Sequence, residues 1–246
     1  MKIVGVIPAR LGSTRLAEKV LQRIHGRPMI QHVWEQAKQA EKLSDLVVAC
    51  DDSRILLCVQ NFGGKAILTR RDHPNGSSRV AEVALREQAD VFINIQADEP
   101  MIHPQAIDQV AFAFEKDPEI EVATLAVCRF DQKDYENPNV VKVVFDEKGD
   151  ALYFSRAPIP HFRGNTSGSF SYWKHLGIYG YRRNFLLQFV TWTAGGLEET
   201  EKLEQLRILE RGFSIRVIET PYDSFSVDTQ EDLEMVEERL RVTRNQ

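Results

Sequence analysis

The residues best suited to chemistry in this chain fall in one basic loop and two acidic segments. Residues 6–19 read VIPARLGSTRLAEK: an apolar run stops at Pro8, and the small residues Ala9, Gly12 and Ser13 are interleaved with the cations Arg10, Arg15 and Lys19. Small residues let the backbone approach a ligand and aim its N–H groups at an anion, and the cations add full charges. A polyphosphate is the natural ligand, although a solvated loop with ordinary surface charges has the same composition. The segment matches neither GxxxxGK[ST] nor GxGxxG, so it is neither a P-loop nor a dinucleotide fingerprint. In INIQADEP (93–100) an apolar run ends in Gln96, Asp98 and Glu99. A carboxylate at the end of a strand, in a chain that binds phosphates, suits Mg²⁺; capping of the next turn is the plainer role for Asp98. In SVDTQEDL (226–233), Asp228 precedes a helix start, with Thr229 and Asp232 at capping-box spacing and Asp in place of Glu or Gln. Its role beyond the helix start is as a second metal ligand near Asp98. His175 in KHLGIYGYR, Arg156 in FSRAPIP, and Glu204 and Gln205 in EKLEQLR are candidates to contact an acidic, hydroxyl-rich substrate. A structural strand histidine and a solvated helix face are the competing readings.

These segments need elements to position them. KIVGVI (2–7), LVVAC (46–50), KAIL (65–68) and VFINI (91–95) read as buried strands. Between them the spacing predicts helices over 28–43 (with Pro28 as the first helical residue), 53–62, 78–88 and 104–114. All-apolar strands alternating with amphipathic helices imply a doubly wound, mostly parallel α/β sheet sandwiched by helices. Ligands in such sheets bind outside the carboxyl ends of the strands, where the basic loop and the first acidic segment fall. After residue 122 the rhythm changes. VATLAV, VVKVVF, ALYFS and KHLGIYGYR are strands with little helix between them, which predicts a mixed or antiparallel extension of the sheet. The Gly/Ser/Thr-rich segment 161–171 reads as a mobile loop. Residues 199–210 read as one helix, SIRVIE (214–219) as the last strand, and 229–241 as the closing helix.

The whole chain bounds the function. It has 246 residues and a formal net charge of −5, enough for one sizeable core. The acidic balance argues against sequence-independent nucleic-acid binding. Cys50, Cys58 and Cys128 are odd in number, widely spaced and without metal spacing, as expected of reduced, packed thiols in a cytosolic protein. The N-terminal apolar stretch is too short for a signal peptide, and no apolar run approaches the roughly 20 residues that span a bilayer. A cytoplasmic location with no membrane partner is the expectation.

In order, IPARLGSTRL, RPMIQHVWEQA, IQADEPMI, ALYFSRAPIP, HLGIYGYR, ETEKLEQLRILERG and VDTQEDL resemble the blocks of the CMP-Kdo synthetases, the 3-deoxy-manno-octulosonate cytidylyltransferases, over nearly the whole length. The resemblance implies a nucleotidyltransferase-like Rossmann variant. It also implies a Mg²⁺-dependent reaction in which CTP and Kdo (3-deoxy-manno-octulosonate) give CMP-Kdo and pyrophosphate, for lipopolysaccharide synthesis. Carried over by position, Arg10, Arg15 and Lys19 hold the triphosphate, and Ser13 with Gly76, Ser77 and Arg79 holds the nucleoside. Asp98 and Asp228 hold the metal, with Lys19 beside them in catalysis. Gln96, Arg156, His175, Glu204 and Gln205 line the sugar-acid pocket. The family implies a homodimer built through the late strands. The chain reads as a single cytidylyltransferase domain, with a nucleotide-binding half (1–120), a sugar-acid and dimerisation half (121–225), and a closing metal loop and helix (226–246). Three positions depart from the family's usual pattern: Ala17-Glu18 replaces Pro-Gly, Asn75-Gly76-Ser77-Ser78-Arg79 replaces Ser-Gly-Thr-Glu-Arg, and Ala97 replaces Gly.

In the implied mechanism the anomeric hydroxyl of the sugar acid attacks the α-phosphorus of CTP in line. Both substrates are anions, and two unit charges about 5 Å apart repel by roughly 3 kcal/mol at an effective dielectric near 20. The cations of the opening loop are what let them share a pocket. Two other readings remain: a cytidylyltransferase for a related acid such as 8-amino-Kdo or a sialic acid, and a non-catalytic nucleotide-sugar binding relative. A nicotinamide oxidoreductase shares the α/β pattern but needs a glycine fingerprint after the first strand, and this chain has none there.

Overall fold

The computed structural model describes residues 1–13, 15–163 and 170–244. In chain order the first half runs β1 (Ile3–Ala9), a short ribbon of β2 (Arg23–Ile24) and β3 (Arg27–Pro28), α1 (Met29–Ala37), β4 (Asp45–Cys50), α2 (Ser53–Asn61), β5 (Ala66–Leu68), α3 (Gly76–Arg86), β6 (Val91–Asn94) and α4 (Pro104–Lys116). The second half runs β7 (Val122–Arg129), α5 (Gln132–Glu136), β8 (Lys142–Phe145), β9 (Ala151–Ser155), β10 (Tyr172–Arg182), α6 (Arg183–Phe189), α7 (Gly196–Glu201), α8 (Leu206–Glu210), β11 (Arg216–Glu219) and α9 (Gln230–Arg244).

Strand β1 shows why the sheet is covered on both sides. Its residues alternate between two cores. Ile3 and Ile7 pack with Ile30 and Val33 of α1 and Ile107 of α4, whereas Val4 and Val6 pack with Val80 and Val83 of α3 and Phe185 of α6. The sheet order is β11-β7-β10-β6-β1-β4-β5, with β8 on β10 and β9 on β8. Strands β6, β1, β4 and β5 are mutually parallel, and β11 is parallel to β7. Strand β10 runs antiparallel to both β6 and β7. A strand from the second half therefore sits between strands whose carboxyl ends point the same way, and one nine-stranded sheet joins both halves of the chain. The close fit of β10 on α4 uses Gly180, where a Cβ would stand 2.5 Å from the Phe114 ring.

Two helix expectations are corrected. The helix predicted over 28–43 is only Met29–Ala37; Pro28 is its N-cap and not its first residue. Its chain then turns, and the Glu41 and Lys42 amides donate to the Asp108 carboxylate of α4. The helix predicted over 199–210 is two, α7 and α8, broken where Lys202 takes φ +55°. Of the predicted loop 161–171, residues 164–169 lie outside the described residues; on either side of them, the Phe162 and Phe170 rings pack against Tyr135 of α5. The three cysteines are free, and burial pushes the Cys50 thiol up to about 11, so it is a protonated packing residue at neutral pH.

Candidate active site

Two clefts open along the carboxyl ends of the strands. The first, of about 360 Å³, lies between the loop after β1 and the start of α3. Arg10, Ser13, Arg15, Lys19, Gly76 and Arg79 line it together with Ala97 and Asp98. The loop is anchored to the sheet, because the Leu11 amide donates to the carboxylate of Asp51, just after β4. Helix α3 points its N-terminus at the same space. Asn75 caps it through a complete capping box, accepting from the Ser78 amide at 2.9 Å while the Ser78 hydroxyl closes back on the Asn75 backbone. The Asn-Gly-Ser-Ser sequence thus supplies a complete cap of its own. Arg79 is buried, and its guanidinium donates to Thr69 Oγ1 and the Arg70 carbonyl, so it braces the wall of the cleft.

The second cleft is larger, about 860 Å³, and lies over β10 and β7. His175, Glu204 and Gln205 line it, as do Asn94, Tyr179 and Tyr181. Glu204 and Gln205 reach it because the chain breaks at Lys202. Just before the break, the Glu201 carboxylate accepts from Ser155 Oγ and the Arg156 amide, and the turn that follows swings the next residues inward. Burial pushes Glu204 up to about 7, against the pull of Arg207 and of the Ser77 hydroxyl that donates to it at 3.1 Å. Burial also pushes His175 down to about 3, so its imidazole is neutral at physiological pH. Asn94 Oδ1, Tyr179 Oη, Glu204 Oε1 and Gln205 Nε2 are buried and have no hydrogen-bond partner among the described residues. Four such atoms around one cleft are donors and acceptors for a hydroxyl-rich ligand.

Arg15, Gln96 and Asp228 line both clefts. At this junction Lys19 Nζ stands 2.5 Å from Asp98 Oδ2 and 2.9 Å from Asp228 Oδ1, and an Arg15 guanidinium nitrogen is 2.9 Å from the same Asp228 oxygen. Burial alone would lower the Lys19 ammonium, but Asp98 and Asp228 together outweigh it and hold it above the usual lysine value. The two carboxylates come from distant segments stitched together. The Val227 amide donates to the Asp98 carbonyl at 2.9 Å, and the Ser224 hydroxyl donates to the buried Glu99 carboxylate at 2.6 Å. Asp228 is further fixed by the capping box read in the sequence: the Asp228 and Thr229 amides donate to Asp232, and the Asp232 amide donates to Thr229 Oγ1. The pair offers oxygen donors only and already brackets one positive group, which fits a hard divalent cation. No cluster of three or more His, Cys, Asp or Glu suited to a metal occurs among the described residues. Two carboxylates completed by substrate phosphates is the usual Mg²⁺ arrangement.

Two expected site residues are placed elsewhere. Arg156 lines neither cleft; its guanidinium donates to the carbonyls of Glu201 and Pro138 and ties β9 to α7. Ser77, expected at the nucleoside, faces the larger cleft through Glu204. Asn94, Tyr179 and Tyr181 were not singled out in the sequence. An amide inside the apolar VFINI run and tyrosines two apart in GIYGYR, hence on one face of a strand, are the signals that mark them. Glu18 does not crowd the triphosphate loop: it takes φ +49° and its carboxylate turns out to Arg54 at 2.6 Å.

A basic loop, a metal-competent carboxylate pair and a polar second cleft on this sheet make a nucleotidyltransferase. The fold is shared with 4-diphosphocytidyl-2C-methyl-D-erythritol synthase from Anaerococcus prevotii, at a TM-score of 0.65 and 11% identity. The family described as Cytidylyltransferase matches residues 4–218. The 3-deoxy-manno-octulosonate cytidylyltransferase of Solibacter usitatus is 49% identical over 235 residues, covering 96% of this chain and 93% of its own. That of Geotalea daltonii is 46% identical over 250 residues, covering 98% and 99%. The structure of CMP:2-keto-3-deoxy-manno-octonic acid synthetase complexed with CTP superposes with a TM-score of 0.93 at 43% identity, covering 99% of this chain and 100% of that one. The chain belongs to the 3-deoxy-manno-octulosonate cytidylyltransferase family.

Proposed function

We propose that this chain joins CTP to Kdo, giving CMP-Kdo and pyrophosphate, with CTP in the smaller cleft and the sugar acid in the larger. The observation that carries this reading is the shared wall: Arg15, Gln96 and Asp228 border both clefts, so the reacting ends of the two substrates meet over the Asp98–Lys19–Asp228 cluster. Arg10, Arg15 and Lys19 neutralise the triphosphate, and the small residues of the loop let backbone amides reach it. The sugar's hydroxyls satisfy Asn94, Tyr179, Glu204 and Gln205. Its anomeric oxygen attacks the α-phosphorus in line; the new P–O bond forms as the bond to pyrophosphate breaks. Lys19 and Arg15 hold the leaving charge. Asp98 and Asp228 would hold Mg²⁺, which would supply positive charge beside the α-phosphate and acidify the attacking hydroxyl. The hydroxyl's proton passes to solvent as the new bond forms, without a side-chain general base.

The same reading places the enzyme in the cytoplasm, ahead of lipopolysaccharide assembly. No helix among the described residues is long and apolar enough to cross a membrane. It also makes the active form a homodimer. Among the described residues, strand β9 has β8 as its one strand partner and leaves Leu152 63% exposed, a surface a second copy would cover; light scattering should return twice the chain mass, and a monomer would overturn that part. For the chemistry, Asp98→Asn should lower kcat by roughly 100-fold or more with the fold intact by circular dichroism. Near-normal turnover in that variant would remove the metal assignment. A panel of Kdo, 8-amino-Kdo and sialic acid, each with CTP, tests the substrate: Kdo should give the highest kcat/KM.

A further inference from the structure

Strand β10 carries two more residues than β7 across from it. Leu176 pairs with Leu125, and the next pair is Tyr179 with Thr124. The bulge turns the Leu176 and Ile178 carbonyls toward the fully buried Thr124 hydroxyl, at 3.1 and 2.8 Å. The same hydroxyl oxygen is 3.1 Å from His175 Nε2. A threonine hydroxyl has one proton to give and lone pairs to receive with. The two carbonyls can only accept, and an oxygen without a proton facing them at this range would be repelled. The proton therefore goes to the carbonyls, and the contact with His175 is satisfied only if Nε2 bears a hydrogen. The imidazole is held edge-on by Phe154 at 5.0 Å and against Tyr179 at 5.4 Å, and among the described residues the ring's hydrogen bond is made through Nε2, not Nδ1.

We infer that Thr124 is a positioning residue that fixes His175 as the Nε2–H tautomer, so that Nδ1 presents a lone pair to a hydroxyl of the sugar acid. The role of Nδ1 rests on the sugar-acid reading of the larger cleft; the tautomer does not. The device is one of specificity. The substrate position that meets Nδ1 must carry a donor, and an analogue with that hydroxyl removed or methylated leaves the lone pair without one.

The test uses the full chain labelled with ring-¹⁵N histidine and long-range ¹H–¹⁵N correlation, with His175→Gln to assign the signal. His175 should show the Nε2–H pattern in the wild type and in Thr124→Ser, which keeps the hydroxyl. Thr124→Val, similar in shape but without the hydroxyl, should lose that pattern. The KM for Kdo should rise about tenfold in Thr124→Val, while the KM for CTP stays within about twofold and Thr124→Ser restores the Kdo value. An Nδ1–H pattern in the wild type overturns the inference, even if Thr124→Val fails to fold. So does a Thr124→Val protein with an unchanged pattern, or one in which both KM values move together. If the wild type does not turn over Kdo at all, the functional reading falls, and the wild-type spectrum still decides the tautomer.

Discussion

At the scale of the residue, Glu18 shows how a departure from a family pattern is absorbed. A carboxylate in a triphosphate loop looks like a charge conflict. The backbone there is left-handed, which explains why glycine is usual, and that geometry sends the side chain outward to Arg54. Glu18→Gly should leave the KM for CTP unchanged and stabilise the fold by no more than about 1 kcal/mol through relief of the backbone strain. The exposed ion pair it removes contributes little. A KM for CTP that falls tenfold would show that the carboxylate does oppose the nucleotide. The charged residues at the junction were legible in the sequence because their chemistry is local: three cations beside small residues, and carboxylates at the end of an apolar run. Arg156 was not, because a guanidinium spent on the carbonyls of Glu201 and Pro138 looks in sequence like one offered to a substrate.

At the scale of the element, the site depends on how helices begin and break. The capping box at Asn75 and Ser78 orients the first turn of α3 beside the smaller cleft. Asn75→Ala should cost about 1 kcal/mol of stability and raise the KM for CTP without changing that for Kdo, as read by denaturant titration and initial rates; Asn75→Ser should recover both. An unchanged stability would show that the box contributes nothing. The break at Lys202 was invisible beforehand. Residues 199–210 are almost all good helix formers with no glycine or proline, and tertiary contacts interrupt them: the Glu201 carboxylate is drawn to Ser155 and the Arg156 amide, and the Arg156 guanidinium takes the Glu201 and Lys202 carbonyls. That interruption shapes the larger cleft, since a continuous helix would not turn both Glu204 and Gln205 into it. The early shortening of α1 has the same kind of cause, the Asp108 carboxylate capturing its trailing amides.

At the scale of the whole molecule, the apolar strand runs were enough to foresee a parallel sheet with helices on both faces, and the late strands a mixed extension. The insertion of β10 between β6 and β7 was not legible, because strand order depends on pairing between segments far apart in the chain. That insertion builds the larger cleft, buries Glu99 and half-buries Glu204, both pushed up to about 7, first by desolvation. The folded state then holds protons that the unfolded chain releases near pH 4.5, so stability should fall as pH rises from about 5 to 7 and level off above. Glu204→Gln should flatten that slope in denaturant titrations across pH 5–8. A slope equal to that of the wild type would mean that Glu204 is ionised throughout.

Pyrophosphate release by the wild-type enzyme with CTP, Mg²⁺ and Kdo, each omitted in turn and UTP substituted for CTP, tests the proposed reaction itself. Release should need all three and be much slower with UTP. Binding of CTP with no release when all three are present, or release that does not depend on Kdo, would contradict it.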